Sequence, residues 1–143
     1  MIRNLGIVPL LLVLSGCMTL TERPSALSSC PLEQVWDTSI AALSDFPIQR
    51  LDKTAGILET NWVEVAASTQ AGIIQRAVNK ERLKYVVEVK PDGRGTVATV
   101  LQIREEWSPM GVRMLQWSGI PGNSREESAV AAEITRRLKE KGC

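Results

Sequence analysis

Residues 83 to 107 limit the fold more than any other part of the chain. Leu83, Tyr85, Val87 and Val89 alternate with Lys84, Glu88 and Lys90, the two-residue period of a half-buried strand with one wet face. Pro91-Asp92-Gly93-Arg94-Gly95 is a turn sequence. Thr96 to Trp107 then returns with Val97, Leu101 and Ile103 on one side and Gln102, Arg104 and Glu106 on the other. Strands joined by so short a connection pair antiparallel, so the rest of the chain has to cover one face of a hairpin. Ile48 to Lys53 and Ile57 to Val65 read as a second hairpin around the Thr54-Ala55-Gly56 turn. Val112 to Ser118, after the Ser108-Pro109-Met110-Gly111 turn, reads as a fifth strand. Residues 66 to 80 have weak periodicity and a central Gly72; a short helix and a loop both fit them.

Two segments carry the helical period instead. Leu32, Val35, Trp36, Ile40 and Leu43 form one apolar stripe, with Pro31 at the first helical position, Ser29 or Cys30 as the cap and Phe46-Pro47 as the stop. Ser124 followed by Glu127 predicts a capping box opening a second helix. Its stripe is Val130, Ala131, Ile134 and Leu138; Arg136, Arg137, Lys139 and Lys141 suit its C-terminal end, and Gly142 can stop it. Two amphipathic helices on one face of an antiparallel sheet of about five strands bury every stripe named, which predicts an α+β two-layer domain.

The N-terminus carries a different kind of signal. Arg3 precedes an uncharged apolar run, Leu5 to Leu14, too short to span a bilayer. The run closes on Leu14-Ser15-Gly16-Cys17 instead of an Ala-x-Ala-like cleavage site. This resembles a bacterial lipoprotein signal. The resemblance implies that the Cys17 thiol receives a diacylglycerol, that residues 1–16 are removed, and that the new amino terminus is acylated, as with palmitate. Met18, in the place where an aspartate favours the inner membrane, points to the outer membrane, facing the periplasm. Each buried methylene contributes about 0.8 kcal/mol and stable anchoring takes two chains, so such a cysteine holds a protein to a membrane with no transmembrane helix. The plainer alternatives are an ordinary secretory signal and an uncleaved apolar anchor. Residues 17–29, polar with small side chains, read as a tether, and 30–143 as a single domain.

Once Cys17 is lipidated, Cys30 and Cys143 remain as an even pair in an oxidising compartment, where we expect a disulfide; two free thiols are the alternative. That bond would join the start of the first helix to the end of the second, which requires the helices to lie side by side and antiparallel. The chain has 17 basic and 16 acidic residues, and the signal takes only Arg3, so the mature charge is balanced and argues against nucleic acid as a partner. The absence of histidine removes the usual general base, zinc ligand and nucleophile activator together.

With helix, hairpin, the 56–62 segment (Gly-Ile-Leu-Glu-Thr-Asn-Trp), Trp36, Arg82-Leu83-Lys84-Tyr85 and the glycine-rich 92–95 turn in order, the chain resembles the helix-grip domains of BamC-like small lipoproteins. The likeness covers most of residues 31–141. It implies an accessory role in envelope assembly. BamC has two such domains behind a long unstructured lead, whereas this chain has room for one.

No phosphate loop, nucleophile elbow or metal-ligand spacing occurs in the sequence. Glu105 and Glu106, as strand neighbours, point to opposite faces and cannot share a site. Arg76, Lys80, Arg82 and Lys84 read either as a basic patch or, preferably, as an ordinary charged face. Trp36 belongs to the core stripe. Trp62, Trp107 and Trp117 lie toward strand ends, and two of them on one exposed face would make a recognition surface. The expectation is a non-enzymatic, cofactor-free protein moored to the membrane by Cys17 that binds an envelope protein partner. The alternative is a carrier or sensor holding an apolar small molecule or lipid between helices and sheet.

Overall fold

The computed structural model describes residues 23–67, 79–110 and 114–143. Their elements follow in the order β1 (Ser25–Ser28), α1 (Leu32–Ala42), β2 (Ile48–Asp52), β3 (Ile57–Thr60), β4 (Val63–Val65), β5 (Lys80–Asp92), β6 (Gly95–Trp107), β7 (Trp117–Ile120) and α2 (Ser124–Glu140). The hairpin predicted from the 83–107 alternation is the spine. Its strands pair residue for residue from Lys80 against Trp107 to Asp92 against Gly95. β1 and β7 share the outer edge of β6, β3 and β4 share that of β5, and β2 lies beyond β3, every pair antiparallel. The expected α+β architecture therefore holds, with seven strands in place of about five.

Both helices cover one face. Leu83, Tyr85, Val87 and Val89 of β5 and Ala98 and Val100 of β6 pack into a single cluster with Val35 and Trp36 of α1, Leu43 just beyond it, and Ala131, Ile134 and Leu138 of α2. Fully burying one such aliphatic side chain contributes about 1.5–3 kcal/mol, so this layer holds helices and sheet together. Trp36 is core, as its stripe predicts. The helix directions follow from three contacts. Thr96 Oγ1 donates to the Cys30 carbonyl at 3.0 Å, placing the start of α1 beside the β5–β6 turn. Phe46, past the end of α1, meets the Tyr85 ring edge-on at 5.0 Å. α2 starts where Asn123 N–H donates to Gln102 Oε1 at 2.9 Å and ends beside Cys30. The helices thus run in opposite senses, and the Cα atoms of Cys30 and Cys143 stand 5.5 Å apart, within disulfide range. Gly142, at φ +86°, reverses the chain after α2, with its N–H bonded to the Lys139 carbonyl and that of Cys143 to the Leu138 carbonyl, a Schellman ending.

Several boundaries differ from the sequence reading, each for a physical reason. Ser25–Ser28, read as tether, is a strand of the sheet: Ala26 opposes Ala98 and is 1 % exposed, so a small residue fits there without any apolar run to announce it. The cap of α1 is Pro31, not Ser29 or Cys30: Pro31 is itself extended, at ψ 149°, and its carbonyl accepts the first helical N–H groups, those of Gln34 and Val35. The cap of α2 is Asn123, one residue before the expected Ser124. Its side chain accepts from the N–H groups of Arg125 and Glu126, and its Nδ2 donates to Glu126 Oε1. This frees Glu127 to accept the Gln102 N–H at 2.8 Å. The strand expected over Val112 to Ser118 begins instead at Trp117; Val112 and Arg113 lie outside the described residues. Residues 57–65 do not form one strand but two, broken at Asn61 and Trp62. Residues 1–16, Cys17, the rest of the tether to residue 22, and 68–78 with Arg76 also lie outside the described residues.

Candidate functional site

The sheet has a second face, turned away from the helices, and the alternation of β5 and β6 decides what stands on it. Lys80, Arg82, Lys84 and Val86 lie there from β5, opposite Trp107, Glu105, Ile103 and Leu101 of β6. Trp117 joins them because β7 pairs it directly with Trp107, and cross-strand partners share a face. Trp62 arrives by the break in the 57–65 strand. Thr60 faces the helices, where its Oγ1 accepts the Tyr85 N–H at 2.9 Å. Val63 faces the helices too, being paired with Leu83. Two residues between positions that face the same way shift the alternation by one, and this re-aims Trp62 onto the open face.

The outcome is a stack. The Arg82 guanidinium carbon lies 4.5 Å from the Trp62 ring and 4.1 Å from the Trp117 ring, between two indoles. Its Nε and Nη2 donate to Glu105 Oε2 at 2.8 and 2.6 Å. Lys84 Nζ stands 4.9 Å from the Trp62 ring and donates to Glu59 Oε1 at 2.5 Å. Lys80 Nζ lies 5.9 Å from the Trp107 ring. Cation–π contacts of this kind are worth about 0.5–1 kcal/mol when exposed and about 2 when dry. Arg82 is about a quarter exposed. The three tryptophans are half-buried rather than sunk in the core. Arg82 and Lys84 are therefore neutralised cations that orient indoles, and the patch is aromatic and apolar in character rather than basic. Ile103 and Leu101 extend it along β6.

Chemistry of an acid–base kind is not assembled on this face. Glu105 is engaged by Arg82, while Glu106, on the other side of β6 as its neighbour position requires, accepts from Asn79 Nδ2 at 2.5 Å. On the helix side of the same sheet end, Arg104 Nη2 meets Glu81 Oε2 at 2.6 Å in a buried pair. Sequence reading missed this pair; its one signal is that Glu81 shares the parity of the apolar β5 residues and Arg104 that of Ala98 and Val100 in β6. Among the described residues no group of three or more acidic or cysteine side chains could hold a metal, and no helix is long and apolar enough to cross a membrane.

The gap between helices and sheet, where an apolar ligand was considered, is occupied by the packed cluster of core side chains. A groove of about 590 Å³ lies outside that layer, between Pro24 and Ser25 at the start of β1 and Ala131, Ala132 and Thr135 of α2. Its rim carries Arg136 and Lys139. No family model matches the chain, and no curated protein is significantly similar to it.

Proposed function

We propose that this protein is a non-enzymatic, lipid-anchored accessory or scaffold of the outer membrane. It is moored through Cys17 and presents the open face of its sheet to a protein partner in the periplasm, in the manner of the BamC-like lipoproteins it resembles. The observation that carries the reading is the Trp62–Arg82–Trp117 stack. Tryptophan and arginine are the side chains most often responsible for binding energy at protein interfaces, especially where they are held rigid beforehand. Here the salt bridge to Glu105 and the two indoles fix Arg82 before any partner arrives. The apolar neighbours Ile103 and Leu101 supply area to bury. A ligand carrier is the weaker reading, because side chains already fill the layer such a ligand would need.

Affinity purification of the lipidated protein from detergent-solubilised envelopes tests this. One partner should be recovered in stoichiometric amount, and Trp62→Ala or Trp117→Ala should weaken its binding about tenfold or more, since truncating an interface anchor costs upward of about 1–2 kcal/mol. Equal recovery by both variants, or a co-purifying lipid with no protein, would overturn the reading.

A further inference from the structure

We infer that the sheet end beyond Trp107 is a second membrane contact, in which Met110, Met114 and Leu115 enter the lipid surface and Trp107 sits at the level of the headgroups. This rests on the reading of Cys17 as the lipid attachment site. Three independent observations place the two features together.

The first is composition at that end. Past the last cross-strand row, Lys80–Trp107–Trp117, Met110 is 54 %, Met114 56 % and Leu115 66 % exposed, three of the most exposed large apolar side chains of the described residues. Leu115 N–H is tied to the Ser108 carbonyl at 2.8 Å, which holds it beside the Trp107 row. Apolar tip, tryptophans behind it and a lysine over one of them is the depth order of an interfacial anchor.

The second is the contrast with the opposite end. There the turns carry Lys53, Asp92 and Arg94, with the ion pairs Arg94–Asp92 and Lys53–Glu33, and the exposed apolar side chains nearest them, Leu51 of β2 and Leu27 of β1, stand singly on strands at opposite edges of the sheet.

The third is the direction of the chain. β1 runs antiparallel to β6, from Ser25 opposite Thr99 to Ser28 opposite Thr96, and the Pro24 carbonyl accepts the Val100 N–H at 3.0 Å. Traced backwards, the chain leaves the sheet heading toward Trp107. Val100 to Trp107 spans seven residues of strand, about 24 Å. Cys17 to Pro24 is seven residues, a reach of at most about 25 Å. The tether is therefore of the length that brings the lipid of Cys17 and the side chains of Met110, Met114 and Leu115 to one plane, with the strands standing up from the membrane and the Trp62–Arg82–Trp117 face turned sideways, open to the periplasm.

The test uses the full chain, purified with its lipid and placed in vesicles with an excess of phosphatidylethanolamine over phosphatidylglycerol and bromine on the acyl chains. Mass spectrometry of the same sample first reports the state of Cys17. Bromine should quench the tryptophan emission, and the variant Met114→Glu with Leu115→Glu should lose most of that quenching while its lipid keeps it in the vesicles. Trp107→Phe should lose quenching as well, whereas Trp36→Phe should not, which separates a contact at this end from unfolding. Lipidated, folded variants quenched as strongly as the native protein would overturn the inference and leave the anchor standing. Emission changed by soluble envelope protein but not by brominated lipid would assign the tip to a protein contact and overturn it too. An unmodified Cys17 would remove the tether and overturn both readings.

Discussion

Gln102 shows how one buried polar side chain fixes the junction of two layers. It is 2 % exposed on the helix-facing side of β6. Its amide oxygen takes the Asn123 N–H, and its Nε2 donates to Tyr85 Oη at 3.0 Å and Glu126 Oε2 at 2.5 Å. Burial pushes the Tyr85 phenol above its usual 10.0, with the hydrogen bond from Gln102 opposing that shift. Gln102→Leu is close in size but leaves the Asn123 N–H and the Tyr85 hydroxyl without partners. It should cost about 3 kcal/mol, since an unsatisfied buried group costs about 1–3 kcal/mol, read as a lower urea midpoint at unchanged slope. At this scale the sequence was legible in part. The parity of Gln102 was clear, but its role was not, because the usual expectation puts polar strand residues in water. Trp107 and Trp117 needed only a register to meet, whereas Trp62 reached their face through a break at Asn61, a residue strands disfavour but one that does not by itself say which way the next side chain turns.

α2 carries its own electrostatic support on the solvent side. Glu133 accepts from Arg136 at 2.8 and 2.7 Å and from Arg137 at 2.6 Å. These bonds, Arg136 first and Arg137 next, hold its carboxyl well below the ordinary 4.5, at about 2. Because the folded value is the lower one, the contribution is fully present above pH 4.5 and is lost as pH falls from 4.5 toward 2. Thermal melts over that interval should show a stability slope that Glu133→Gln flattens and that salt weakens, since the groups are exposed. Among the elements, long periodic ones were the readable ones. α1, α2, β5 and β6 each declared themselves over three or more turns or several alternations. β1 is four residues, Ser-Ala-Leu-Ser, and pairs only because the edge of β6 offers it partners; tertiary context outweighs its weak propensity. The cap of α2 shifted by one because Asn123 also satisfies Gln102, a partner distant in sequence.

For the molecule as a whole, the approach of Cys30 to Cys143 closes 113 residues of sequence. The chain-entropy account gives such a crosslink about 4–5 kcal/mol, an upper figure. Reduction should then lower the melting temperature by up to about 15–20 °C, followed by calorimetry with and without reductant, and Cys30→Ser should melt like the reduced protein with no further response to it. The two-layer architecture was legible because every apolar stripe demanded a cover. The open face was not, since Val97, Leu101 and Ile103 read as the buried side of β6, whereas the structure buries Ala98, Val100 and Gln102 against the helices and leaves that stripe on the open face. The same closure shapes how the domain carries load. A pull applied between a lipid mooring and the C-terminal residue would run through β1 to Cys30 and cross directly to Cys143. Everything from Pro31 to Gly142 would hang slack beside that line of force, so under the proposed mooring tension would peel away Ser25–Ser28 while the helices and the long hairpin stay folded.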